Sequence, residues 1–347
     1  MIEDLDCDLL HSVASKYADD TRVTAKISSQ EEAQCFQKEL DEKIYAWGPA
    51  NNMKLNGEKF EHLHVGHNLN QVKSSYTDPS GNIIVEKDHI KDLGVTLSNR
   101  LTWTRHIEEV ISKARIMSSW ALRTFTTRKK DPMATIWNSQ VRPVLDYCSP
   151  LWSPCPTDFK NIDLLEGVQR AFTRRIEGME GLNYAQRLKE LKMNSVQRRQ
   201  ERYKILYIYK IKEQLVPNIS DTHGLQFSQR GRHGCKCVVP SYPLYQNKAV
   251  TARNSSFALT ASSLWNTLPR SIRNISGLSV DSFKRKLDKQ LKKCPDEPRC
   301  SAIGLYIDMH GRSSNSITHV AKNPQVKRNM EDGEDYVGGL PRWPSFV

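Results

Sequence analysis

The stretch SKYADDTRV, residues 15–23, places two adjacent carboxylates, Asp19 and Asp20, between two runs of strand-forming residues. Side-chain types alternate from Val13 to Tyr17 and again from Val23 to Ile27, which predicts a β-hairpin with the acids at its tip. Aspartates at a turn accept hydrogen bonds from the turn backbone. Carboxylates held on a rigid element are also ligands for hard divalent cations. The stretch alone leaves both interpretations open.

The residues after the hairpin predict one helix and further β-structure. Apolar residues at helical spacing predict an amphipathic helix over 29–48, and Ser28 stands three residues before Glu31, the spacing of a capping box. The other β signals are strands within 53–66 around a turn at Asn56 and Gly57, a hairpin turn at DPSG (78–81), and the short segment 90–97.

The chain changes character after Arg100, where apolar residues recur at the helical period. The predicted helices are 106–125, 132–145 with a kink or end at Pro143, 158–176, 194–215 and, after an irregular stretch over 219–250, 279–293. Beyond residue 310 the polar composition predicts disorder. The fold class is therefore α+β, with domains at 1–98, 99–218 and 219–347, and the helical segment 99–218 is predicted to fold alone.

Net charge favours an anionic partner. The 347 residues include 51 Lys and Arg against 39 Asp and Glu, a net charge of +12. Arg and Lys on helix faces neutralise phosphates without reading sequence, so we expect nucleic-acid contact in the helical half. The candidates are Lys113, Arg115, Arg123, Arg170, Arg174, Arg175, Arg198 and Arg199. The alternative is that these side chains only solvate helix faces or pair with acids such as Glu166 and Glu177.

Other sequence features bear on the cellular location and on the possible partners. The acidic N-terminus lacks an apolar signal region, and no apolar run approaches the length of a membrane span, so no membrane partner is expected. The eight cysteines include no CxxC pair, which favours free thiols in an intracellular protein, nuclear or cytoplasmic. The spacing of Trp120, Trp137 and Trp152 predicts core positions. Nothing in the sequence fixes the oligomeric state.

Six stretches, taken in order, resemble the C-terminal half of the reverse transcriptase of non-LTR (LINE-type) retrotransposons. They are YADD (17–20), similar to palm motif C; 40–66, similar to motif D; IKDLGVTL and the residues after it (90–114), similar to motif E and the first thumb helix; and 144–155, 164–176 and 262–291, similar to segments downstream of the thumb. YADD alone is a weak motif. The shared order of the six stretches carries the resemblance.

The resemblance implies a partial palm followed by a mainly helical thumb-like region, and RNA-directed DNA polymerisation as the parent activity. It implies Mg²⁺ at Asp19, with Asp20 in support, and a template–primer duplex of RNA and DNA as the partner. Tyr17 would lie beneath the nascent end of the primer and template. Leu93 and Gly94, in the stretch similar to motif E, would lie near the primer.

One departure affects the catalytic prediction. The family's site needs a third carboxylate from motif A, which lies well before motif C, and only 16 residues precede Tyr17 here. Two adjacent carboxylates without a third are expected to bind Mg²⁺ weakly and not to organise a two-metal site. The sequence therefore predicts an inactive polymerase fragment whose hairpin keeps an unpaired edge. The alternatives are a non-catalytic basic nucleic-acid-binding protein and a decaying transposon relic.

Overall fold

The computed structural model describes residue 5, residues 9–18, 20–66, 74–216, 225–228, 235–239 and 256–298, and the backbone of 305–307 and 313–315. The chain divides into two compact units, Met1–Arg105 and His106–Val347. Helices and small antiparallel strand pairs make up the described part, which confirms the α+β class.

The described residues of the first unit form three short β-hairpins, one longer helical segment and a 3₁₀ turn. Its elements are β1 (Ser12–Tyr17), β2 (Asp20–Ala25), α1 (Gln30–Glu39), a π-helical turn (Leu40–Tyr45), α2 (Ala46–Ala50), β3 (Tyr76–Thr77), β4 (Ile83–Ile84), β5 (His89–Asp92) and β6 (Val95–Ser98). Strand β1 pairs with β2, β3 with β4 and β5 with β6, each pair antiparallel. Among the described residues no larger sheet forms.

The predicted hairpin at YADD is confirmed. Strands β1 and β2 pair in register from Ser12 opposite Ala25 to Tyr17 opposite Asp20, and Ala18 turns the chain with a φ of 53°. The Glu39 carboxylate accepts hydrogen bonds from the backbone N–H groups of Leu10 and His11, at 2.5 and 3.0 Å. The end of α1 therefore fixes the start of β1.

Two predictions in this unit need correction. The helix begins one residue later than expected, because Ser29 is the N-cap and accepts from the Glu32 backbone N–H at 3.2 Å. Residues 53–66 do not form the predicted strands: they contain a 3₁₀ turn at Gly57–Lys59 and one isolated bridge, from His62 to Glu86. The Asn56 side chain accepts from the Glu58 backbone N–H, so the turn favoured at Asn56 and Gly57 closes locally and is not flanked by paired strands.

The second unit is mainly helical. Its elements are α3 (Thr104–Thr124, beginning just before the division), α4 (Lys130–Ile136), a π-helical turn (Trp137–Val141), α5 (Arg142–Asp146), α6 (Ser149–Trp152), α7 (Phe159–Thr173), α8 (Tyr184–Glu190), α9 (Val196–Lys212), β7 (Phe227–Ser228), β8 (Lys236–Cys237), α10 (Phe257–Thr267), α11 (Arg270–Arg273), α12 (Val280–Leu291), β9 (Leu305–Ile307) and β10 (Ser313–Asn315). Strand β7 pairs with β8, and β9 with β10. Most of 219–250 and of the segment beyond 310 lies outside the described residues.

The predicted helix over 132–145 contains a break. A π-helical turn separates α4 from α5, and Pro143 lies in the first turn of α5. Proline has no N–H to donate to the preceding turn, so the regular pattern of hydrogen bonds is interrupted before it. The structure thus has a change of helix type over Trp137–Val141, just before Pro143, and helical structure continues to Asp146.

The predicted boundary at 218 divides a continuous core. The inner face of α9 packs against α10 and α12, and the rings of Tyr209 and Phe283 stack with centroids 3.8 Å apart. Trp265 lies beside Phe283 at 6.3 Å, and both side chains are fully buried. The sequence prediction that 99–218 folds alone is revised, because α9 shares its buried face with helices that follow residue 256.

A reciprocal contact joins the same elements at their ends. The Asp296 carboxylate accepts from the backbone N–H and hydroxyl of Ser195, the N-cap of α9, at 2.8 and 2.7 Å. The Arg198 guanidinium donates to the carbonyls of Cys294 and Pro295, just beyond α12, and pairs with Asp296 at 3.4 Å. An acid at a helix start and a base beyond a helix end both complement the helix dipoles. The contact therefore fixes the C-terminal helices to α9.

Within the described ranges, no helix is long and apolar enough to span a membrane. The six cysteines described there are free thiols: Cys35, Cys148, Cys155, Cys235, Cys237 and Cys294.

Candidate nucleic-acid interface

Of the residues predicted to hold metal and primer, those that the structure describes lie at or beside the turns of two hairpins in the first unit. Tyr17 is 69% exposed, Asp20 is also exposed, and Asp19 lies outside the described residues. Leu93 and Gly94 form the turn between β5 and β6, with φ angles of 45° and 83°. The Arg22 guanidinium of β2 donates to the Asp92 carboxylate at 2.8 Å. This ion pair joins β2 to the end of β5 and so connects the two hairpins.

A metal site is not assembled in the described residues, which exclude Asp19. Among them, no group of three or more His, Cys, Asp or Glu side chains converges on one position. A two-metal site requires several oxygen ligands held in fixed positions. The described part of the chain therefore contains no set of metal ligands of its own, and we derive no catalytic step through Mg²⁺.

Arg198 and Arg199 belong to the protein interior, which corrects their assignment as phosphate ligands. Each is 6% exposed. Arg198 holds the contact with Asp296, and Arg199 donates to the Asp146 carboxylate at 3.1 Å and to the Gln169 side-chain carbonyl at 2.9 Å. A buried guanidinium needs nearby acceptors and opposite charge, and the two carboxylates together with the protein carbonyl groups supply most of them. Helical spacing could not distinguish these arginines from exposed ones.

Glu166 is likewise an interior residue, so it is not the surface partner that the alternative interpretation required. Its carboxylate accepts from the Tyr184 hydroxyl at 2.5 Å and from the Gln197 backbone N–H, in the first turn of α9, at 2.8 Å. Burial raises the pKa of this carboxyl group, and these two hydrogen bonds together with the charge of Arg199 oppose that rise. Glu166 thus connects α7, α8 and the start of α9.

The remaining predicted cations lie on two helices of the second unit. Lys113, Arg115 and Arg123 are exposed on α3. Arg174 and Arg175 are exposed just after the last residue of α7, and Arg170 is half-buried in its last turn. All of these positions suit phosphate contact better than the two interior arginines do, because their charges reach solvent.

A backbone hydrogen bond brings the ends of these two helices together. The Glu177 N–H, shortly after α7, donates to the Arg128 carbonyl, shortly after α3, at 2.8 Å. The Arg128 guanidinium turns back and donates to the carbonyls of Leu122 and Phe125, which closes the C-terminal end of α3. Exposed cations from both segments therefore lie at one end of the unit. We call this surface the basic end, formed by Arg123, Lys129, Arg174 and Arg175.

Positive charge is also concentrated next to the basic end, around the ring of Tyr184. The guanidinium carbons of Arg170 and Arg187 lie 5.2 and 5.7 Å from the centroid of the Tyr184 ring. Burial, together with the charges of Arg174 and Arg170, lowers the pKa of the Arg187 guanidinium. Like charges held this close repel one another, and a bound anion would relieve that repulsion. The exposed acids of the same segment, Glu177 and Glu180, offset part of this charge.

The three tryptophans predicted as core residues divide into two groups. Trp137 and Trp152 are fully buried, as predicted. Trp120 is not: it is 42% exposed on α3 and meets Phe125 edge-on, with ring centroids 6.0 Å apart. The buried face of α3 instead runs from His106 through Ala114 to Ala121 and does not include Trp120. The prediction for Trp120 was wrong because a helical stripe does not show where the buried face ends.

Sequence reasoning missed Arg187 and Tyr184, because α8, which carries both, was not predicted. Its start does carry a sequence signal, since Asn183 and Gln186 form a capping box. Comparison of the chain with protein-family models, with curated proteins and with solved structures gave no match.

Proposed function

We propose that this chain binds nucleic acid through the basic end of its helical unit, without reading sequence. The observation that carries the proposal is the hydrogen bond from the Glu177 N–H to the Arg128 carbonyl, which joins two segments that are remote in sequence and that both carry exposed cations. Net charge of +12 supports the same partner. The basic end would contact phosphates, which every sequence carries, through exposed cations.

We also propose that the chain derives from the C-terminal half of a non-LTR reverse transcriptase. The order of the six motif-like stretches supports this origin. So does the ion pair from Arg22 to Asp92, which joins the hairpin similar to motif C to the hairpin similar to motif E. In this origin the first unit is part of a palm, and the helical unit held the template–primer duplex of RNA and DNA.

Salt dependence tests the binding proposal. Each phosphate that a cation neutralises releases condensed counterion, so log affinity should fall linearly with log salt, by about 0.7 to 0.9 per contact. The four cations of the basic end predict a slope of about −3 to −4 for the full chain. Fluorescence anisotropy with labelled duplexes of unrelated sequence, each titrated at several salt concentrations, measures it. A flat slope, or strong preference for one duplex, would contradict the proposal.

A protein made of these 347 residues is expected not to extend a DNA primer on an RNA template with Mg²⁺ or Mn²⁺. Two adjacent carboxylates at one hairpin tip do not supply the ligand set of a two-metal site. Primer extension on a denaturing gel, with an active reverse transcriptase on the same template as the control, measures the activity. Extension above background that disappears in the Asp19→Ala variant would show that a competent site forms.

A further inference from the structure

The exposed face of α3 combines aromatic and basic side chains. Lys113, Ile116, Trp120 and Arg123 follow one another at intervals of three, four and three residues, so they share one face of the helix. All four side chains are exposed. Phe125, 37% exposed, extends the apolar surface beyond the helix end through its edge-on contact with Trp120. The face continues directly into the basic end through Arg123.

We propose that Trp120, supported by Phe125, is a stacking platform for an unpaired base of a single strand of DNA or RNA. An indole ring presents a flat face of the size of a base, and stacking on it tolerates any base. Lys113 and Arg123, about two turns and one turn from Trp120 on the same face, would neutralise the phosphates on either side of the stacked nucleotide.

Charge selects the occupant of this face. Trp120 lies between Lys113 and Arg123 on the helix, so a polyanion that carries flat apolar groups is the complementary partner. A duplex hides its bases within the stack, and therefore offers the platform only its terminal pair. A second copy of this chain would bring the same cations against themselves. The platform therefore extends the proposed function, on which it rests, from phosphate contact alone to a preference for unpaired strands.

The test compares two single strands with equal numbers of phosphates, using the full chain. One is a fluorescein-labelled 12-nucleotide oligo(dT), and the other is an abasic strand of the same length. Fluorescence anisotropy should show that the wild-type chain binds oligo(dT) more tightly than the abasic strand. Trp120→Ala should weaken binding of oligo(dT) by about 5- to 150-fold, the range for loss of one stacked base, and leave the abasic strand unaffected.

Two variants separate stacking from general apolar contact. Trp120→Phe keeps a smaller aromatic face and should restore part of the affinity for oligo(dT). Leu151→Ala removes an apolar side chain that is 42% exposed, as Trp120 is, but lies on α6 and outside this face, and it should leave both affinities unchanged. Circular dichroism of each variant checks that the helices are intact, as the exposure of both side chains predicts.

Several outcomes would overturn the platform. Equal wild-type affinity for the two strands would exclude stacking while leaving phosphate binding at the basic end in place. An equal loss of affinity for both strands in Trp120→Ala would assign the side chain to another role. A dimer that sedimentation detects in the wild type and not in Trp120→Ala would show that a second copy covers this face. Absence of binding to either strand, and to duplexes, would contradict the proposed function itself.

Discussion

A fragment that ends at residue 218 is expected to lose the fold of the helical unit. Residues 99–218 keep α9 but remove the helices that cover it, including the buried side chains of Trp265, Phe283 and Leu287. Burial of each such side chain contributes about 1.5 to 3 kcal/mol, so these three alone contribute roughly 5 to 9 kcal/mol. That sum is comparable with the whole free energy of unfolding of a typical domain. The fragment also leaves Arg198 without Asp296.

The matched control is the fragment 99–298, which retains α10 to α12 and the contact with Asp296. We expect it to unfold cooperatively in urea, followed by circular dichroism and tryptophan fluorescence. The shorter fragment should aggregate, or show helical signal without a cooperative transition and with strong binding of an apolar dye. A cooperative transition of the shorter fragment at the same urea midpoint would contradict the shared core.

Replacement of Glu166 by alanine should destabilise the helical unit by roughly 3 to 5 kcal/mol. The change removes the acceptor of two hydrogen bonds, from the Tyr184 hydroxyl and the Gln197 backbone N–H, and leaves both donors buried. It also removes the carboxylate that faces the buried Arg199. Urea unfolding of the full chain, followed by circular dichroism, measures the loss.

Two substitutions bracket this effect. Glu166→Gln keeps an acceptor for the Gln197 N–H and should destabilise the unit by only about 1 to 2 kcal/mol. Glu177→Ala removes an exposed glutamate from the segment after α7 and should change stability by less than about 0.5 kcal/mol. If Glu166→Ala proved no more damaging than Glu177→Ala, the hydrogen bonds at Glu166 would not hold α7, α8 and α9 together.

Local patterns predicted the elements that depend on nearby residues. The hairpin of β1 and β2 follows from period-two alternation around a two-residue turn, and α3 follows from one long apolar stripe. Both are found close to the predicted bounds. The observed helix ends differ from the predicted ones where two neighbouring residues can both act as the N-cap, as Ser28 and Ser29 can before α1. Energies at such positions differ little, so sequence alone does not fix the residue at which a helix begins.

Long-range contacts could not be predicted in the same way. Arg198 and Arg174 are both arginines near a helix end, yet one meets Asp296 across the core and the other reaches solvent. The surface at the basic end depends on a hydrogen bond between Glu177 and Arg128, which are remote in sequence. Helical periodicity shows which residues share a face, and only packing decides which face is covered. The sequence therefore identified candidate cations. Only the fold showed which of them are exposed and which segments lie together.

The most direct test of the account is to remove the charges of the basic end and to measure the change in the slope of log affinity against log salt concentration. The triple variant Arg123→Ala, Arg174→Ala and Arg175→Ala should weaken binding equally on unrelated duplexes and flatten the slope by about 2 to 3. A control with the same loss of charge replaces Lys286, Lys289 and Lys293, exposed on and just after α12, and should leave the slope nearly unchanged. Equal flattening by both triple variants would contradict binding at the basic end, as would an unchanged slope in the arginine variant.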